Sequence, residues 1–154
     1  MIRPALALAI PLFLPAVLAA DPPSSVMRIV RTPQILWQHD AKSPGLEYAV
    51  LEGDPSVPGK PYVIRVRFAP GSFSRPHFHP EARHIVVLQG TWWVGAGPKW
   101  DREATTPVPA GSFVVHHARQ IHFDGAKDEE VVVQISGIGP GTATAVDELG
   151  RPQP

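Results

Sequence analysis

Cysteine is absent from the 154 residues. Disulfides and thiolate-held metals are therefore excluded; stability must come from a packed core, and any metal must be held by nitrogen and oxygen ligands. An excess of charge of either sign is missing too. Fourteen basic side chains stand against 14 acidic ones, with no basic cluster, which argues against nucleic acid and acidic membranes as partners. Room for a long helix is also lacking, since 19 prolines and 13 glycines punctuate short apolar runs. That is the pattern of an all-β sandwich or barrel. There is no internal repeat, and the length suits one domain with one core.

The first twenty residues, "MIRPALALAIPLFLPAVLAA", read as a secretory signal. Arg3 supplies a positive start, Ala5 to Leu18 an apolar stretch, and Val17 to Ala20 a small-residue exit cleaved near Ala19 or Ala20. The rival reading is a membrane anchor, but the run is too short to span a bilayer and contains Pro11 and Pro15. No stable membrane span is expected. The mature chain then begins near Asp21 and is periplasmic or secreted.

Strands are expected at Gln34 to Trp37, Leu46 to Glu52, Tyr62 to Ala69, Phe73 to His79, Arg83 to Gln89, Thr91 to Gly95, Ser112 to His117 and Val131 to Ile138. Tyr62, Ile64, Val66 and Phe68 alternate with Arg65 and Arg67, so one set faces a core and the other solvent or a partner chain. Residues 21–45 read as an N-terminal strand and extension, 46–140 as the barrel, and 141–154 as a loosely attached tail.

Against this background the stretch "GSFSRPHFHPEARHIVVLQGTWW" (Gly71 to Trp93) concentrates three of the seven histidines, His77, His79 and His84. Residues two apart on a strand share a face, so His77 and His79 can chelate one ion without bending the backbone. A lone pair of this kind is a weak signal. Its surroundings strengthen it: Gly71, five residues, His77-x-His79, then Gly90 eleven residues on resemble the first motif of the cupin family. "PAGSFVVHHARQIH", with Gly111 opening a strand and His122 beyond a turn, resembles the second. The segments "LEGDPSVPG", "GTWWVGAG" and "GIGP" are similar to small single-domain bacterial cupins. The resemblance runs from about Leu46 to Pro140.

It implies a jelly-roll β-barrel of antiparallel strands in which His77, His79 and His122 converge on one divalent metal ion, Fe, Mn, Ni or Zn. It also implies a homodimer formed through edge strands. Cupin sites usually add a glutamate seven residues before the closing glycine, and here that position is Arg83. A guanidinium cannot ligate a metal and stays charged. Three substitutes are open: His84, Glu81 in the loop after His79, or nothing, leaving a three-histidine site. Arg83 then either keeps its head in water at the barrel mouth or clamps an anion. Pro and Gly, usual in the second motif, are replaced by His117 and Arg119. His116 and His117 alternate in facing, so at most one looks inward, and each reads as a polar strand end before it reads as a ligand.

Gln134 and Ser136 share a face of the last strand and are expected to offer hydrogen bonds inside the barrel. Phe73, Phe123 and one of Trp92 and Trp93 are expected to form an apolar wall. With three neutral imidazoles the ion's charge is uncompensated, which favours a small anionic organic substrate or ligand. The leading reading is a metal-dependent oxygenase, or an isomerase or lyase. The alternatives are a non-catalytic module that binds a small organic acid or sugar, and a metal that only holds the barrel together.

Overall fold

The computed structural model describes residues 21, 23, 25–39 and 43–153; the expected signal segment at 1–20 lies outside the described residues. Among the described residues eleven strands form two antiparallel sheets. They are β1 (Gln38–His39), β2 (Leu46–Gly53), β3 (Pro61–Phe68), β4 (His77–Phe78), β5 (Arg83–Gln89), β6 (Thr91–Ala96), β7 (Thr106–Pro109), β8 (Phe113–His116), β9 (His122–Gly125), β10 (Val131–Ile138) and β11 (Thr144–Ala145). One sheet runs β1-β2-β3-β10-β5-β8 and the other β11-β4-β9-β6-β7. Packed face to face, they make the jelly roll. Among the described residues no helix is long and apolar enough to cross a membrane.

The period-two patterns build the core. Tyr62 and Phe68 of β3, Ile85 and Val87 of β5, Trp92 of β6, and Val131, Val133 and Ile135 of β10 are buried together between the sheets. Each large side chain withdrawn from water contributes roughly 1.5–3 kcal/mol. Trp92 is the inward tryptophan; Trp93 lies outside beneath the Lys127 ammonium, 4.1 Å from its ring centre.

Several expectations require correction. Gln34 to Trp37 is no strand: a 3-10 turn over Thr32–Gln34, with Pro33 in its first positions, takes its start, and the chain pairs with β2 only from Gln38. Pro fixes φ and has no N–H to give a ladder. The expected strand from Phe73 shrinks to His77–Phe78, and Phe73 keeps a single bridge to Gly125. β7, "TPVP", was concealed by its two prolines, which a sheet edge tolerates. β9, "HFDG", has no apolar alternation. Gly125 is needed there because a Cβ would collide with Phe73 and the Ser72 carbonyl.

The segment after Gly139 is no loose tail. β11 pairs with β4, Val146 is buried, and the Val146 N–H donates to the Pro76 carbonyl at 3.0 Å. It thereby completes the sheet that carries the histidines.

Candidate metal centre

Two short pieces of chain bring the imidazoles together. His77 on β4 stands directly opposite His122 on β9, so cross-strand pairing puts both rings on the inner face. His79 follows two residues after His77, on the same side. Ring centres are 4.5 Å apart for His77 and His122, 4.8 Å for His77 and His79, and 5.3 Å for His79 and His122. One nitrogen from each lies within 4.8 Å of the others.

The outer nitrogens determine what the inner ones can do. His77 Nδ1 donates to the Arg75 carbonyl at 2.7 Å, His79 Nδ1 to the Thr142 carbonyl at 2.9 Å, and His122 Nδ1 to the Gln120 carbonyl at 3.0 Å. A carbonyl only accepts, so each Nδ1 carries the proton and each Nε2 presents a lone pair. The Nε2 atoms of His79 and His122 are buried without a hydrogen-bond partner among the described residues. Imidazoles tethered by one nitrogen, with the other aimed at a common point, are the usual arrangement of a metal site.

Electrostatics favour neutral rings at His79 and His122, as metal binding requires. Burial, reinforced by Arg83 and His77, drives His79 far below the ordinary histidine value. Burial also lowers His122 to about 4, with Asp124 opposing.

A fourth histidine belongs to the cluster. His116 on β8 is buried, its ring centre 3.8 Å from that of His122, and its Nδ1 has no partner. Burial, with His122 and Arg83 adding to it, lowers it to about 2. His116, His122 and Asp124 also place ligand atoms within 4.8 Å of one another. The sequence presents His116 as a polar strand end and does not mark Asp124, whereas the structure buries both beside His122. The available signal was parity, since Asp124 stands two residues beyond His122.

Arg83 points into the barrel. The residue is only 9% exposed and its Nε has no partner among the described residues, so the expected escape of its head to water does not occur. Burial lowers its proton affinity while the Asp124 carboxylate and Tyr62 oppose. A cavity of about 100 Å³ lies beside it, with His77, Arg83, Asp124, Ser74 and Trp92 on its wall together with Phe68 and Ile135.

The remaining candidates sit elsewhere. His84 is exposed on the opposite face of β5, its ring stacked 6.0 Å from that of Phe113; strict alternation wins, with no bulge to turn it. Glu81 and His117 are exposed. Gln134 faces outward, accepting from Arg65 Nε at 3.2 Å, because Val133 and Ile135 take the inward positions. Ser136 shares that outward parity. Phe73 lies under the Arg102 guanidinium at 4.6 Å and is not part of the cavity wall; Phe123 is buried against Gly95.

The second turn keeps its shape without glycine. Arg119 adopts φ 63° and its N–H donates to the His79 carbonyl at 2.8 Å. The larger cavity, about 330 Å³, lies outside the barrel between Trp37 and Arg65, Arg67 and Glu130. It contains no histidine, and Arg67 there is already paired with Glu47 and stacked on Trp37. The small inner cavity has Arg83 and Trp92, two of the residues with unsatisfied buried polar atoms, on its wall, with His77 beside them.

A family described as the ChrR Cupin-like domain matches residues 25–140. The chain belongs to this cupin family. Among curated proteins, the cupin is 32% identical over 99 residues to Germin-like protein subfamily 1 member 7 of Arabidopsis thaliana, covering 60% of this chain and 43% of that one. It thus spans less than half the length of that relative. An RmlC-like cupin protein from Ralstonia eutropha superposes with a TM-score of 0.64 at 17% identity, covering 82% of this chain and 76% of that one. The polyketide cyclase RemF from Streptomyces resistomycificus superposes with a TM-score of 0.61 at 16% identity, covering 73% and 79%. At such identities the likeness shows the fold alone.

Proposed function

We propose that this cupin is an exported mononuclear metal protein that takes a small anionic organic ligand beside the ion, as a metal-dependent oxygenase. The convergence of three Nε2 lone pairs, each fixed by an Nδ1–H donated to a backbone carbonyl, carries the metal part of the reading. The bound ion would supply Lewis acidity or, as iron, dioxygen chemistry. The chain's own residues supply the rest. Arg83 offers a desolvated guanidinium suited to a carboxylate. A cavity of about 100 Å³ admits a ligand of only a few heavy atoms, since a water occupies about 30 Å³. Export rests on the pattern of residues 1–20.

Arg83 in the glutamate's place also favours a second reading, a non-catalytic module for a small organic acid. Protein beginning at Asp21 should be metal-depleted, repleted with Fe(II) or Zn(II), and analysed for bound metal, then titrated with carboxylates of one to four carbons with dioxygen uptake followed. One equivalent of ion, saturable carboxylate binding and carboxylate-dependent uptake are expected. Carboxylate binding without turnover would leave the binding module. Failure to retain any ion would end the metal reading. Amino-terminal sequencing of exported protein should begin near Asp21; a start at Met1 would defeat export with cleavage.

A further inference from the structure

We propose that the ion has a second, mutually exclusive seat in the same barrel, formed by His116, His122 and Asp124. This rests on the metal-binding reading above and goes beyond it in the ligands named. Residues on β8 and β9 supply the set. His122 and Asp124 share a face of β9, with Asp124 Oδ2 3.9 Å from His122 Nε2. His116 arrives from β8, where it is the cross-strand partner of Arg83. All three are buried, at 8%, 7% and 4% exposure for His116, His122 and Asp124. Among the described residues His116 Nδ1 and His122 Nε2 both lack a hydrogen-bond partner, and buried polar atoms without partners are costly unless a ligand meets them.

The two seats cannot be filled together. His122 Nδ1 is committed to the Gln120 carbonyl, so only Nε2 is available, and its single lone pair serves one ion. The barrel therefore holds one metal in either of two places rather than a pair.

The seats differ in chemistry. The first offers three neutral nitrogens. The second offers two nitrogens and a carboxylate, a donor set suited to iron(II) or manganese, and so restores the charge that Arg83 removed from the usual cupin position. They differ also in what they leave behind. With the ion on the three histidines, Asp124 still opposes Arg83. With the ion on Asp124, Arg83 loses that counter-charge and is open to an anion.

The test uses Co(II) as probe on the full mature chain, read by calorimetry and visible absorption, with far-UV circular dichroism to confirm folding. The parent should bind one Co(II), and His79→Ala should still bind one, about 100-fold more weakly. In that background Asp124→Asn, and separately His116→Gln, should weaken Co(II) by at least about ten-fold more than the same change does in the parent. Folded His79→Ala protein that loses Co(II) as completely as His122→Ala would overturn the second seat, as would indifference of the His79→Ala protein to both added changes. Two equivalents bound by the parent would overturn mutual exclusion. A parent that binds no Co(II) would instead defeat the metal reading itself, a distinguishable result.

Discussion

The two faces of the six-stranded sheet treat arginine in opposite ways. On the outer face Arg67 pairs with Glu47 and lies 4.4 Å over the Trp37 ring, and Arg65 donates to Gln134. On the inner face Arg83 is more deeply buried, its Nε has no partner, and around it stand histidine nitrogens without partners either. The outer charges are satisfied by their neighbours and are half wet, so they contribute little to stability. The inner ones sit where an unmet polar group costs most. Unmet groups converging in a dry place mark a ligand site; paired charges on a wet face mark structure.

The sharpest way to break this contrast is His122→Ala. His122 belongs to both donor sets, so the variant should lose bound metal altogether, as read by metal analysis after repletion; retention of one equivalent would place the ion elsewhere. Next is Arg83→Glu, which puts a carboxylate at the inward position beside the histidines. It should tighten Zn(II) by at least ten-fold, as a fourth donor with opposite charge, and abolish carboxylate binding. Unchanged Zn(II) affinity in calorimetry would mean that side chain 83 does not reach the ion.

A smaller effect concerns pH. Because burial holds His122 near 4 in the folded chain against an ordinary 6.5, the unfolded chain binds the proton first as pH falls. Stability from this residue is complete above about 6.5 and is lost toward about 4, on the order of 3 kcal/mol. His116 and His79 act in the same direction. Urea midpoints of metal-free protein should therefore fall steadily across that window; a flat profile would mean the rings are solvated. The smallest effect belongs to the outer face. Arg67→Ala should cost no more than about 1 kcal/mol and leave metal affinity unchanged, and a change in metal binding would blur the distinction between the faces.

β3, β5 and β10 were legible because each pairs a clean alternation with a buried inner face, and the structure keeps the expected bounds of β5 and β10 to the residue. His77 and His79 were legible as a same-face pair, and the resemblance to the cupin motifs around Gly71, Gly90 and Gly111 added His122. β7, β9 and β11 were not. Their short runs of proline, glycine and polar residues have no local preference for a strand and are held by neighbours already in place. Gln134 was assigned to the wrong face because alternation defines two faces without saying which is inside.

Local chemistry by itself determined that this chain would form antiparallel strands, would hold any metal without thiolate, and would carry a cation at position 83, seven residues before Gly90. Only the tertiary structure decided that Arg83 is enclosed, that His84 stacks on Phe113 outside, and that His116 and Asp124 reach His122. Those outcomes depend on which strands become neighbours and in what register, a property of long-range pairing that no stretch of a few residues contains.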